Sequence, residues 1–222
     1  MEHQSDGHPA RRLSRLDVYD HLHQRLVHGE WTPGQIVQEQ TLAAELRVSK
    51  TPVREALQLL ALQGMVRAVV RVGYVVSEIT LADMVEVFQF RILLEKDLTA
   101  QLANVPVPSL SQESRDPSEA PQSHAVDPEI AFHHGLYGSI VQPRKRAALG
   151  VLVDQTARAM GSLALDPAVM NALNEEHRQI FVAVELRDFE LAGSLMVVHL
   201  SHLRDAVLSK LRQHLREQEN FL

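Results

Sequence analysis

The chain has 222 residues, 45% of them hydrophobic, with no cysteine, twelve histidines and a formal net charge of -6. That is enough length and apolar content for one or two domains with cores of their own. Zero cysteines exclude disulfides and thiolate metal sites and fit a reducing cytoplasm. No apolar run approaches the ~18 residues of a membrane span, and the polar stretch from Met1 to Gly7 is unlike a secretory signal. The charge is uneven. Residues 1–77 hold nine Lys/Arg against eight Asp/Glu, a net of +1, while residues 78–222 hold thirteen against twenty, a net of -7. The acidic part is expected to repel DNA, which leaves the first part as the reader of any polyanion.

Residues 42–62 carry two short apolar helical patterns joined by a tight turn. In the second, Val53, Ala56, Leu57 and Leu60 follow i, i+3, i+4, i+7 and form one stripe to bury. Ser49 or Thr51 can act as N-cap, and Pro52 is harmless within the first turn. Lys50 and Arg54 are four apart and lie off the stripe. From Arg47 to Arg71 there are five Lys/Arg and one acid, Glu55. Such a positive strip suits phosphate binding, whose backbone component is electrostatic. Hydroxyls and cations at the N-terminal end of a second helix are the layout of a DNA-reading helix-turn-helix. On periodicity alone, a pair of packed core helices fits these residues equally well.

Taken in order, Gly29…Pro33-Gly34…Leu42-Ala43…Val48-Ser49-Lys50-Thr51-Pro52-Val53-Arg54-Glu55-Ala56-Leu57…Leu60…Gly64-Met65-Val66…Gly73-Tyr74-Val75-Val76 resembles the GntR family of bacterial transcription regulators. The resemblance spans residues 14–77 and implies a winged helix-turn-helix with helices near 14–28, 39–46 and 50–62. The wing it implies is a hairpin of Val66–Val70 and Tyr74–Val76 turning at Arg71-Val72-Gly73. The candidate DNA-contacting residues are Arg47, Ser49, Lys50, Thr51, Arg54, Arg71 and Gly73. Two positions depart from the family pattern. Arg47 stands where Gly is common, at a cost on the order of 1 kcal/mol if φ is positive there. Lys50 stands where Arg is usual, and an ammonium lacks the planar fork that grips guanine O6 and N7.

Further along, residues 80–103 read as a helix. Met84, Phe88, Arg91, Glu95, Leu98 and Leu102 share one stripe, interrupted by the ionisable pair. Arg91 reads in two ways, as the ion-pair partner of Glu95 or as a clamp for an effector carboxylate. Residues 104–128 hold five of the chain's ten prolines and read as a loop. Helical patterns return near 129–141, 145–161, 168–187 and 188–216, and strand signals are confined to the wing. Three of these stripes carry an inward histidine: Glu129/His133/Leu136/Ile140, Val169/Leu173/His177/Ile180/Val184 and Ala192/Leu195/His199/Leu203/Ala206. Glu129 and His133 are i, i+4 and can ligate one ion together. Imidazoles with one carboxylate suit Zn²⁺, Ni²⁺ or Mn²⁺. A lone inward histidine is more often a hydrogen-bonded core residue; three with a carboxylate favour a site.

Glu129…Phe132-His133…Leu136, Glu176-His177…Ile180 and Met196…His199-Leu200 resemble the ligand-binding domain of the FadR branch of GntR regulators, the metal-binding FCD type. Arg91…Leu94-Glu95 matches its first helix. This resemblance covers roughly 80–206 and implies an all-helical bundle holding a divalent metal and a small organic acid. His133, His177 and His199 are the implied ligands, with Glu129 as the candidate carboxylate beside them; Arg91 stays open between ion-pair partner and effector anchor. The family usually has Asp at the place of Glu129, which leaves Asp127 as an alternative ligand. His134 and His202 fall on neighbouring faces.

The fold expected is mainly α: a winged helix-turn-helix over 10–77 with a small β-hairpin wing, and an all-helical effector-binding and dimerisation domain over 80–216. The function expected is a cytoplasmic, homodimeric, sequence-specific transcription regulator. It would repress at a near-palindromic double-stranded operator and respond to a small carboxylate bound beside the metal. The alternatives are a purely dimerising second domain or a metal-dependent hydrolase. The hydrolase has no His-Glu-x-x-His, serine elbow or Gly-rich phosphate loop behind it.

Overall fold

The computed structural model describes residues 13–106 and 127–219. They fall into two compact units, one running to Gln24 and resuming over Gly34–Ser77, the other comprising Arg25–Pro33 and the chain from Glu78 onward.

The first unit contains most of helix α1 (Arg15–Val27), then β1 (Ile36–Val37), α2 (Glu39–Glu45), α3 (Lys50–Leu62), β2 (Val66–Val69) and β3 (Gly73–Val76). Val53, Ala56, Leu57 and Leu60 are the buried stripe of α3. With Val18, Leu22, Leu42, Met65 and Tyr74 they form the unit's core. The sheet order is β1-β3-β2, antiparallel throughout. Ile36 pairs with Val75 and Val37 with Tyr74 on one side; Val66 pairs with Val76 and Val69 with Gly73 on the other. β1 lies outside the wing and corrects the expectation that strands are confined to it. Two residues are too few to show a period-2 pattern. Gly73 belongs to β3 rather than to the turn, and Val70 to the turn rather than to β2. At φ +119° a Cβ on Gly73 would come 2.8 Å from the Val37 carbonyl oxygen, so this glycine is required by the approach of β1.

The second unit contains α4 (Leu81–Gln101) with a 3₁₀ turn at Leu102–Asn104, α5 (Asp127–Tyr137), α6 (Pro143–Leu163), α7 (Pro167–Glu185) and α8 (Phe189–Glu219). Thr80 caps α4 by accepting from the Asp83 N–H at 3.1 Å. α6 and α7 each open on a proline, whose missing N–H costs nothing in a first turn. Phe132, Leu136, Tyr137, Val153, Ile180, Val184, Met196 and Leu200 belong to one buried cluster drawn from α5 to α8. α5 starts two residues earlier than the sequence pattern and stops at Tyr137; Gly138–Val141 form a turn before Pro143. The loop expected over 104–128 falls, for residues 107–126, outside the described residues.

Candidate metal centre and nucleic-acid interface

In the first unit, α2 and α3 are joined by the turn Leu46–Ser49. The end of α2 is a Schellman motif: the Val48 N–H donates to the Ala43 carbonyl at 3.0 Å and the Arg47 N–H to the Ala44 carbonyl at 3.3 Å. Arg47 takes the left-handed position at φ 54°. Ser49 is the N-cap residue of α3, but its hydroxyl makes no capping bond, and Thr51 sits inside the first turn. Ser49, Lys50, Thr51 and Arg54 are exposed together, as are Arg47 and, at the hairpin turn, Arg71. Arg71 is left-handed too, at φ 64°.

The sequence reading missed two partners. Arg54 Nε donates to both carboxylate oxygens of Glu39, at 3.0 and 3.1 Å, and Nη2 donates to Oε2 at 2.9 Å. Lys50 Nζ donates to Gln40 Oε1 at 3.2 Å. Hydrogen bonding and the charge of Glu39 raise the pKa of Arg54 above its ordinary value. Glu39 and Gln40 lie on a different helix from their partners, so no periodicity could reveal the pairs.

In the second unit, the side chains of Glu129, His133, His177 and His199 converge from α5, α7 and α8, with ligating atoms all within 4.8 Å of one another and every residue buried. His177 Nε2 lies 3.1 Å, and His133 Nε2 3.4 Å, from His199 Nε2. Glu129 Oε1 is 3.1 Å from His133 Nε2, and Oε2 is 3.2 Å from His177 Nε2. Nitrogen lone pairs facing each other at this range repel unless a proton or a cation lies between them. Nitrogens held at about 2.0–2.1 Å by one ion stand roughly 2.8–3.4 Å apart at angles from 90° to tetrahedral. The donor set therefore fits a divalent ion.

Carboxylates stand behind two of the rings. His133 Nδ1 is 2.5 Å from Glu95 Oε2, and His199 Nδ1 is 3.0 Å from Glu176 Oε2. A proton held on each Nδ1 leaves Nε2 with its lone pair aimed at the centre. His177 Nδ1 has no hydrogen-bond partner among the described residues. Its ring stacks on Phe132, centroids 4.0 Å apart.

Arg91, fully buried, donates from Nε to Glu95 Oε1 at 2.8 Å and from Nη1 to Glu129 Oε1 at 3.0 Å. Of the two sequence readings of Arg91, the ion pair with Glu95 is present; Nη2 is buried with no hydrogen-bond partner among the described residues. Burial pushes Glu95 up, but Arg91 and His133 outweigh it and hold the carboxyl at about 2. The same contest, won by His133 and Arg91, keeps Glu129 well below the usual carboxylate range. Burial and the neighbouring His199 depress His177 to about 3, so its ring is neutral. Burial works against a charged His199, yet hydrogen bonds to Glu129 and Glu176 raise its pKa.

Asp127, the alternative ligand, is 2.8 Å from His28 Nε2 instead and is not one of the four clustered groups. His202 is exposed and meets Glu176 at 2.5 Å. His134 lies at the surface with Asp154 3.9 Å away. A cavity of about 340 Å³ between α5 and α6 is lined by His133, His134, Tyr137 and Arg146 among others.

Comparison with known proteins finds two family patterns along the chain. The pattern of bacterial regulatory proteins of the gntR family matches residues 14–76, and that of the FCD domain residues 86–202. An uncharacterised HTH-type transcriptional regulator in an unstable DNA locus of Streptomyces ambofaciens is 33% identical over 91% of this chain and 88% of its own. A probable D-xylose utilization operon transcriptional repressor of Paenarthrobacter nicotinovorans is 31% identical over 86% and 89%. Among solved structures, E. coli McbR/YncC superposes with a TM-score of 0.69 at 19% identity, over 90% of this chain and 99% of that one.

Proposed function

The chain belongs to the GntR family of bacterial regulatory proteins, with an FCD domain as its second part, and from that premise we propose how it works. Proteins of this family are DNA-binding transcription regulators, not enzymes, so the hydrolase alternative falls away. We read residues 10–77 as the operator-binding domain, contacting DNA through Arg47, Ser49, Lys50, Thr51, Arg54, Arg71 and Gly73. Residues 80–216 are the effector-binding and dimerisation domain. One reading helix covers only a few base pairs, so useful affinity calls for a homodimer on a near-palindromic site. The place of action is the cytoplasm, and the mode is repression, as in the repressors that the chain resembles.

The observation that carries the sensor reading is the buried convergence of Glu129, His133, His177 and His199. These four would hold one Zn²⁺, Ni²⁺ or Mn²⁺. The ion would supply positive charge and open coordination positions for the carboxylate of a small organic acid. Arg91 holds Glu129 ionised, and its Nη2, without a hydrogen bond among the described residues, would be a second anchor. The cavity against His133 provides room for a small acid. Elemental analysis of purified protein tests the metal assignment: wild type is expected to carry about one divalent ion per chain. The His177→Ala/His199→Ala double variant is expected to carry almost none, and full metal content in it would place the ion elsewhere.

A further inference from the structure

We propose that the first turn of α2 aims the reading helix: Glu39 and Gln40 are positioning residues that orient Arg54 and Lys50 toward base edges rather than toward the nearest phosphates. This rests on the reading of Arg54 and Lys50 as DNA contacts.

Glu39 and Gln40 are consecutive, and each binds one cation of α3. Arg54 and Lys50 are themselves one helical turn apart, so the two pairs lie side by side. Arg54 is exposed, and a free arginine there would sample many rotamers and settle on whichever phosphate was near. Three hydrogen bonds donated to one carboxylate remove that freedom. They also consume one edge of the guanidinium, the Nε/Nη2 edge. The outer fork, Nη1 with the second proton of Nη2, is left to donate, and Nη1 has no hydrogen bond among the described residues. A planar fork of fixed orientation is what bidentate recognition of guanine O6 and N7 requires.

Lys50 has no fork of its own, and its ammonium is a compact charge on a flexible stem. The Gln40 carbonyl ties that stem down. Arginine in the place of Lys50 would carry its own geometry; with lysine, direction has to come from a neighbour. Glu39 also places a negative charge within the positive strip, which weakens sequence-independent phosphate attraction. That weakening falls on specific and non-specific binding alike, so orientation is what raises the ratio of the two affinities.

The test uses full-length protein and a duplex selected by wild type from a random library, with an unrelated duplex of equal length at matched salt. Glu39→Gln keeps size and removes the charge. It is expected to lower affinity for the selected duplex about tenfold, the worth of one bidentate base contact, while affinity for the unrelated duplex holds or rises. Gln40→Ala is expected to lower the ratio of the two affinities about threefold, the worth of one hydrogen bond. In an Arg54→Ala background, Glu39→Gln is expected to have no further effect on the ratio. A ratio unchanged by Glu39→Gln overturns the proposal. That holds if both affinities rise together, which marks simple repulsion of phosphate, and if both fall together with the melting temperature, which marks a fold effect. Wild-type affinity in Arg54→Ala alone would instead overturn the underlying assignment of Arg54 to DNA.

Discussion

Arg47, Gly64 and Arg187 occupy one place in three copies of the same helix ending. α2, α3 and α7 each close with paired bonds: Val48 N–H to Ala43 and Arg47 N–H to Ala44, Met65 to Leu60 and Gly64 to Ala61, Asp188 to Ala183 and Arg187 to Val184. The residue in the left-handed position has φ 54°, 75° and 60° respectively. Glycine tolerates it freely, whereas a side chain costs on the order of 1 kcal/mol. Arg187 recovers part of that cost, because Nη2 donates to the Ala103 carbonyl at 3.0 Å and the guanidinium lies 5.3 Å from the Phe189 ring centroid. Arg47 is exposed on the DNA-reading turn. Arg47→Gly is therefore expected to raise unfolding stability by about 1 kcal/mol, while Arg187→Gly gains less, as read by urea denaturation. If Arg47 meets a phosphate, the same variant lowers the salt dependence of operator binding by roughly one unit of slope. An unaltered slope would leave Arg47 without a phosphate contact.

Helices of the second unit are tied to the segment that follows α1 by a contact that admits no side chain. A Cβ added to Gly161 in α6 would sit 2.3 Å from the Val27 carbonyl oxygen. One added to Gly29 would sit 2.6 Å from the Gly161 carbonyl carbon. Both neighbours are backbone and cannot swing aside. The His28–Asp127 contact fastens the same segment to the start of α5. Gly193 in α8 offers the control, since no atom of the described residues lies within 4 Å of its added Cβ. Gly161→Ala is expected to destabilise by roughly 1–3 kcal/mol through overpacking. Gly193→Ala is expected to stabilise by about 0.8–1.0 kcal/mol through helix propensity. Thermal melts of the two variants should move in opposite directions, and a shared direction would contradict the packing described.

Over the whole molecule, the cluster of Glu129 and three histidines places four ionisable groups, with Arg91 and Glu95 behind them, in a helical interior. An ion bound only to the folded state stabilises it by about 2.7 kcal/mol at a hundredfold excess over Kd. Chelation is therefore expected to lower the melting temperature of wild type and to leave the His177→Ala/His199→Ala variant unmoved. The sensor reading adds a coupling to DNA. A small carboxylic acid found by thermal shift, in a screen run with and without chelator, is expected to weaken operator binding. A typical coupling of about 1–3 kcal/mol corresponds to roughly 5- to 150-fold. An acid shifts that equilibrium only by its difference in affinity for the two states. Equal operator affinity with and without bound acid would favour a purely dimerising second domain.

Local chemistry was legible in the chain itself. The buried stripe of α3, the helix that carries Arg91 and Glu95, and the inward direction of His133, His177 and His199 all follow from helical spacing, because burial in an amphipathic helix repeats every 3.6 residues. What spacing cannot carry is contact between elements. The β1 strand is too short to have a period. Glu39 and Gln40 find Arg54 and Lys50 only because α2 packs on α3. Asp127 and Glu129 are two residues apart and chemically interchangeable in sequence. Their positions on the first turn of α5 send one to His28 and the other among the three histidines. Sequence determined which side chains face inward; the packing of helices from separate parts of the chain decided which of them meet.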